Sequence, residues 1–148
     1  VRLPHKEFLT KGKLTMLKMA AEQVIASMHN DISIKTFNGD SNLYNNFQKL
    51  RYHGLVYYAH KDNSRVRGHW LITRNGWAFL RGDITLPKFV VIRNNHILTK
   101  SDQEISVRDV YYGSDVLQTT FEYFDNEGNA VGWKPTRQMV ASRQVSLI

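Results

Sequence analysis

Cysteine is absent from the 148 residues. Disulfide staples and thiolate metal sites are therefore excluded, and a reducing compartment is compatible. With 9 glycines and 3 prolines, the chain is not linker-like or low in complexity. No apolar run approaches the roughly 18 residues that cross a bilayer, so no membrane partner is expected. The opening residues VRLPHKEFL hold no apolar signal core, and a cytoplasmic location is the expectation. Catalytic signatures are missing as well. There is no glycine-rich phosphate loop after a strand and no G-x-S-x-G elbow. The six histidines (His5, His29, His53, His60, His69 and His96) lack close metal-ligand spacing. Asn94-Asn95-His96 reads as a turn between strands rather than a nuclease fragment, because Asn tolerates positive φ. The segment Asp125–Asn129 lacks the late Glu of a calcium loop and reads as a hairpin turn. Carboxylates are scattered, so neither an enzyme nor a cofactor or metal is expected.

What is present begins with a core. A chain that is 42% hydrophobic at this length buries enough apolar surface for one domain with a small appendix. The net charge is +7 and unevenly placed: residues 1–82 hold 13 Lys and Arg against 5 Asp and Glu, and residues 83–148 hold 7 against 8. A basic half beside a near-neutral half implies that one part meets a polyanion.

Leu14, Leu17, Ala21, Val24, Ile25 and Met28 recur at helical spacing, which predicts a helix over about 11–28 with Lys13, Lys18, Glu22 and Gln23 off the stripe. Ile32-Ser33-Ile34 is β-like, Lys35–Phe37 forms a single turn, and Asn38-Gly39-Asp40 turns the chain. Asp40 or Ser41 caps a second helix, over 41–53, with Leu43, Phe47 and Leu50 on its buried face. Gly54 suits the left-handed residue that ends such a helix. Strands follow at 55–59 and 69–72, joined by the polar stretch 60–68. Thr73 caps a helix holding Trp77 and Leu80, although Asn75-Gly76 is also a strong two-residue hairpin signal. A hairpin over 88–92 and 96–99, a strand at 116–123 and a terminal element over 135–148 complete the reading.

Two segments carry a family resemblance. Asn46-Phe47-Gln48-Lys49-Leu50-Arg51-Tyr52-His53-Gly54-Leu55-Val56 is similar to the helix-to-Gly-Leu-Val junction of winged helix-turn-helix modules. Trp70 to Leu80 (WLITRNGWAFL) is similar to the strand, Leu-Thr-x-x-Gly, helix ending of MarR-type regulators, and the whole also resembles small winged-helix proteins of phages and mobile elements. The resemblance covers about residues 11–82. It implies an α+β fold: a winged-helix DNA-binding domain over 11–82, then a small β-rich C-terminal extension over 88–148. Two features depart from the family pattern. The first helix of the motif falls on the short, β-branched stretch Ile32–Phe37, and Asp62 is displaced from the Asp-Arg pair of the MarR wing, so ligand sensing is not expected.

At about 100° per residue, the face of the 41–53 helix opposite Leu43, Phe47 and Leu50 presents Ser41, Asn45, Gln48 and Tyr52, flanked by Asn42 and Lys49. Asn and Gln pair bidentately with adenine, and Lys reaches guanine or phosphate. The helix N-terminus offers N–H groups to a phosphate. Lys61, Arg65 and Arg67 stand at the tip or sides of the following hairpin, where cations grip phosphate or enter a minor groove. The expected function is that of a transcriptional regulator. Its expected partners are double-stranded DNA, a second copy of the chain, and a protein partner through 88–148. The alternative is a module, or a phage-type inhibitor, that docks on a protein instead of DNA.

Overall fold

The computed structural model describes residues 3–110 and the backbone of 123–124 and 130–132. It is an α+β arrangement of short helices and small antiparallel sheets. In chain order the elements are β1 (His5–Phe8), α1 (Lys11–Ser27), a 3-10 turn (Ile34–Phe37), α2 (Ser41–Gln48), a second 3-10 turn (Lys49–His53), β2 (Val56–Lys61), β3 (Ser64–Ile72) and α3 (Arg74–Arg81). Then come β4 (Leu86–Pro87), β5 (Phe89–Arg93), β6 (His96–Lys100), β7 (Glu104–Ile105), the one-turn α4 (Val107–Val110), β8 (Tyr123–Phe124) and β9 (Ala130–Gly132). The sheets are β1-β5-β6, β2-β3, β4-β7 and β8-β9.

α1 starts where the Thr10 hydroxyl accepts from the Lys13 N–H, and it ends at Met28 in the left-handed region (φ 63°). Its apolar stripe is buried at Leu14, Leu17, Ala21 and Val24. This face packs into one cluster with Phe37, Phe47, Leu50, Leu55, Trp70, Ile72, Trp77 and Phe79, and the cluster extends to Ile105 and Val107. Phe37 and Phe47 meet at 5.2 Å between ring centroids, and Trp70 meets Phe47 edge-on at 6.2 Å. The chain after residue 88 thus shares a core with the chain before residue 82, and β1 pairs antiparallel with β5 from His5↔Ile92 to Phe8↔Phe89.

The connector after α1 is held to β3 by two devices. Ile32 forms a bridge with Trp70. Asn30, which is buried, uses its side-chain amide as a strand residue would use its backbone: Nδ2 donates to the Ile72 carbonyl (3.2 Å) and Oδ1 accepts from the Ile72 N–H (3.1 Å). Both groups of a buried amide are satisfied, as burial requires.

The Asn75-Gly76 hairpin reading gives way to helix. Thr73 caps α3 by accepting from the Gly76 N–H (3.0 Å) and donates to the Gly54 carbonyl (2.7 Å). Gly76 lies against the Leu55 carbonyl so closely that a Cβ would stand 2.3 Å from the oxygen. No larger residue fits that contact.

Four expectations need correction. The polar start contains a strand, because β1 is held by pairing with β5 rather than by its own pattern. Lys13 is not a solvated off-stripe residue; it is 6% exposed. The 41–53 helix is α only to Gln48 and tightens to 3-10 over Lys49–His53 before Gly54 (φ 74°) ends it. The polar 60–68 stretch is not a loop, since β2 and β3 run to a two-residue turn at Asp62-Asn63, both at positive φ. Of the strand expected at 116–123, only Tyr123 falls in β8. The rest of it, the turn at Asp125–Asn129 and the element over 135–148 lie outside the described residues.

Candidate nucleic-acid interface

The core-facing side of α2 fixes how the helix lies and meets the hairpin after it through Phe47 and Trp70. Phe47 and Leu50 are fully buried and Leu43 half-buried, so the helix can only lie with that side down. The other side then faces out: Ser41, Asn42, Asn45 and Lys49 are exposed, and Gln48 and Tyr52 half-buried. Tyr44 ties this helix to the hairpin. Its hydroxyl donates to the Gly68 carbonyl (3.3 Å) and accepts from Trp70 Nε1 (2.9 Å).

The helix N-terminus is less open than the sequence suggests. Asp40 is the cap, and one of its carboxylate oxygens accepts from the Asn42 (2.9 Å) and Leu43 (3.2 Å) N–H groups. A phosphate would compete for these donors against a fixed negative charge.

On the hairpin, Lys61 closes β2, while Arg65 and Arg67 lie in β3; all three are exposed. The pairing runs from Tyr58↔Trp70 to His60↔Arg65, so β3 spends five residues where β2 spends two. The excess forms a bulge that includes Arg67, and Gly68 at φ 80° supplies a backbone conformation that suits such a bend. The Arg65 guanidinium sits over the Tyr58 ring, 3.3 Å from its centroid, which holds the cation in place. Tyr57, 54% exposed, stacks on His60 with centroids 5.4 Å apart.

At the other end of the helix is a chain of bonds that periodicity did not reveal. Arg51 donates from Nη1 to the Gln48 carbonyl (2.8 Å) and from Nη2 to the Tyr52 hydroxyl (2.7 Å). That hydroxyl in turn donates to Asn95 Oδ1 at 2.8 Å. Tyr52 is therefore engaged with the β5–β6 turn and is not a free reader. The three-residue spacing of Gln48 and Arg51 is a readable signal for the first bond; nothing local signals the last, from Tyr52 to Asn95, which spans 43 residues.

Beneath Lys49 lies a small charged cluster. Lys13 Nζ donates to Glu7 Oε2 (3.0 Å) and to the Phe8 carbonyl. Burial pulls the Lys13 ammonium below its ordinary range, and Glu7 opposes that shift. Burial also pushes the Glu7 carboxyl up, but the bonds and charges of Lys13, His5 and Lys49 outweigh it, leaving Glu7 below the usual range. His53 is buried, and its Nε2 has no hydrogen-bond partner among the described residues. Burial first, then the Lys13 charge, lowers it to about 4, with Glu7 acting in the opposite sense. It is neutral at pH 7.

Among the described residues, no group of three His, Asp or Glu side chains is arranged to hold a metal ion, and no helix is long and apolar enough to cross a membrane. No family model, curated protein or solved structure matches the chain.

Proposed function

We propose that the protein is a winged-helix DNA-binding protein, a transcriptional regulator that lays α2 in the major groove and the β2–β3 hairpin on the phosphate backbone or in the minor groove. The observation that carries this reading is the exposure of Ser41, Asn42 and Asn45, with Gln48 half-buried, on α2, and of Lys61, Arg65 and Arg67 on a hairpin fastened to α2 through Tyr44. The order helix, bridging residue, turn, helix, hairpin is the order such modules have, and the Ile32–Trp70 bridge joins the connector to the hairpin. Asn45 and Gln48 supply base-edge pairing. Lys49, Lys61, Arg65 and Arg67 supply phosphate contact, and Asn42 and Ser41 local hydrogen bonds. Docking on a protein surface is the second reading, favoured by the exposed Tyr57 ring.

Duplex binding across a salt series tests the proposal. With about five phosphates neutralised, log affinity falls with log salt at a slope near −4.5, a loss of roughly 500-fold between about 50 and 200 mM. Arg65→Ala/Arg67→Ala makes the slope shallower by about 1.8. Asn45→Ala/Gln48→Ala leaves the slope alone and reduces discrimination between sequences by roughly 1–3 kcal/mol for each lost bidentate contact. No binding at low salt removes the proposal and favours the protein-docking reading.

A further inference from the structure

We infer that the β5–β6 hairpin is a second phosphate-gripping finger, seated at the C-terminal end of α2 while the β2–β3 hairpin is fastened nearer its N-terminal end; this rests on the DNA reading above. Two hydrogen bonds place the fingers. Tyr44 joins α2 to β3 through the Gly68 carbonyl, and Tyr52 joins the helix end to the β5–β6 turn through Asn95. Eight residues separate these tyrosines, half of them in α2 and half in the 3-10 turn that follows, about 14 Å along the axis. Both hairpins are therefore tied to one helical segment, and Arg51 braces the Tyr52 end by bonding to its hydroxyl.

The hairpin has the form and the charge of a finger. Asn94 and Asn95 make a tight two-residue turn, both in the left-handed region (φ 50° and 67°), the geometry that matches strand twist. Val90 and Ile92 anchor β5 from beneath, while Arg93 and every residue of β6 are exposed. From Lys88 to Lys100 the chain holds Lys88, Arg93 and Lys100 and no acid. Arg93 stands opposite His96 beside the turn, so cation, imidazole and the Asn94 amide are presented together. These groups donate to phosphate oxygens. The exposed Ile97 and Leu98 of the same strand offer an apolar contact to the duplex instead, and the test separates the two.

The experiment is the duplex salt series run on four chains: wild type, Arg93→Ala/Lys100→Ala, Arg65→Ala/Arg67→Ala, and Ile97→Ser/Leu98→Ser. The two variants that lose charge are each expected to give a slope shallower by about 1.8. Arg93 and Lys100 are exposed, so the variant is expected to melt with the wild type. A slope unchanged in Arg93→Ala/Lys100→Ala but shallower in Arg65→Ala/Arg67→Ala overturns the second finger and leaves the DNA reading standing. A wild-type slope near zero overturns both. Binding lost in Ile97→Ser/Leu98→Ser, with the Arg93→Ala/Lys100→Ala slope unchanged, replaces the finger with apolar docking. Because the chain lacks cysteine, a His96→Cys variant carrying an iron chelate gives a second readout. Strand cleavage is expected at one flank of the footprint, displaced from that produced by Ser64→Cys, and cleavage outside the footprint overturns the inference.

Discussion

A buried imidazole contributes to the acid sensitivity of this fold. His53 titrates at about 4 in the folded chain against an ordinary value of 6.5. As pH falls, the unfolded chain takes the proton first. His53 therefore costs no stability above pH 6.5, and stability falls progressively as pH drops from 6.5 to about 4, by roughly 3 kcal/mol over the full span. The depressed Glu7 carboxyl adds a second, lower limb: its contribution is present above the ordinary carboxylate range and is lost as pH falls through its folded value. Lys13, Glu7 and Lys49 are the charged groups that surround this site. Urea unfolding of His53→Leu from pH 7 down to about 2.5, through the carboxylate range, is expected to lose the upper limb and keep the lower; parallel curves for variant and wild type would remove His53 from the account. Gly76→Ala is a sharper lesion, because its Cβ would stand 2.3 Å from the Leu55 carbonyl. A loss of about 1–3 kcal/mol in unfolding free energy is expected, and an unchanged midpoint would mean that α3 shifts away at no cost. At this scale the apolar stripe was legible: Leu14, Leu17, Phe47 and Leu50 follow the helical period and are buried. Lys13 was not, because its burial depends on Glu7, six residues away in a strand with no alternation of its own.

Elements were readable where local chemistry decides them. Thr73 before Arg74, Gly54 after His53 and the Asn94-Asn95 pair each mark a boundary that the backbone keeps. β1 was not readable, since only its pairing with β5 makes it a strand. The three-residue excess in β3 was equally hidden, because a bulge is a difference in count between two partners. Asp40 offers a prediction that belongs to α2 as a whole. Asn caps as well as Asp, so Asp40→Asn is expected to leave the melting temperature within about 2 °C. It also removes a negative charge from beside the proposed groove face, and duplex affinity is expected to rise about threefold, the scale of one charge at a helix end. Weaker binding would place the DNA elsewhere. Tyr52→Phe tests the other end: losing the hydroxyl leaves Asn95 and Arg51 without that partner, at about 1 kcal/mol of stability.

Across the whole molecule, the charge asymmetry counted along the chain becomes a spatial arrangement. The cations of β2–β3 and the polar face of α2 are joined by Tyr44, and Asn95 brings the basic turn of β5–β6 to the same helix. Composition implied a polyanion partner; it did not reveal that Asn95, in the acid-free stretch 88–100 of a later part near neutral in sum, accepts a hydrogen bond from Tyr52. Such a contribution depends on long-range contacts, which no local pattern encodes. The most direct measurement is amide chemical-shift mapping by NMR as a short duplex is titrated in at low salt. The largest changes are predicted at Ser41, Asn42, Asn45, Gln48 and Lys49 and over residues 61–67, with a second group at 93–96. Changes confined to the outer surfaces of α1 and α3, or none at all, would contradict the account.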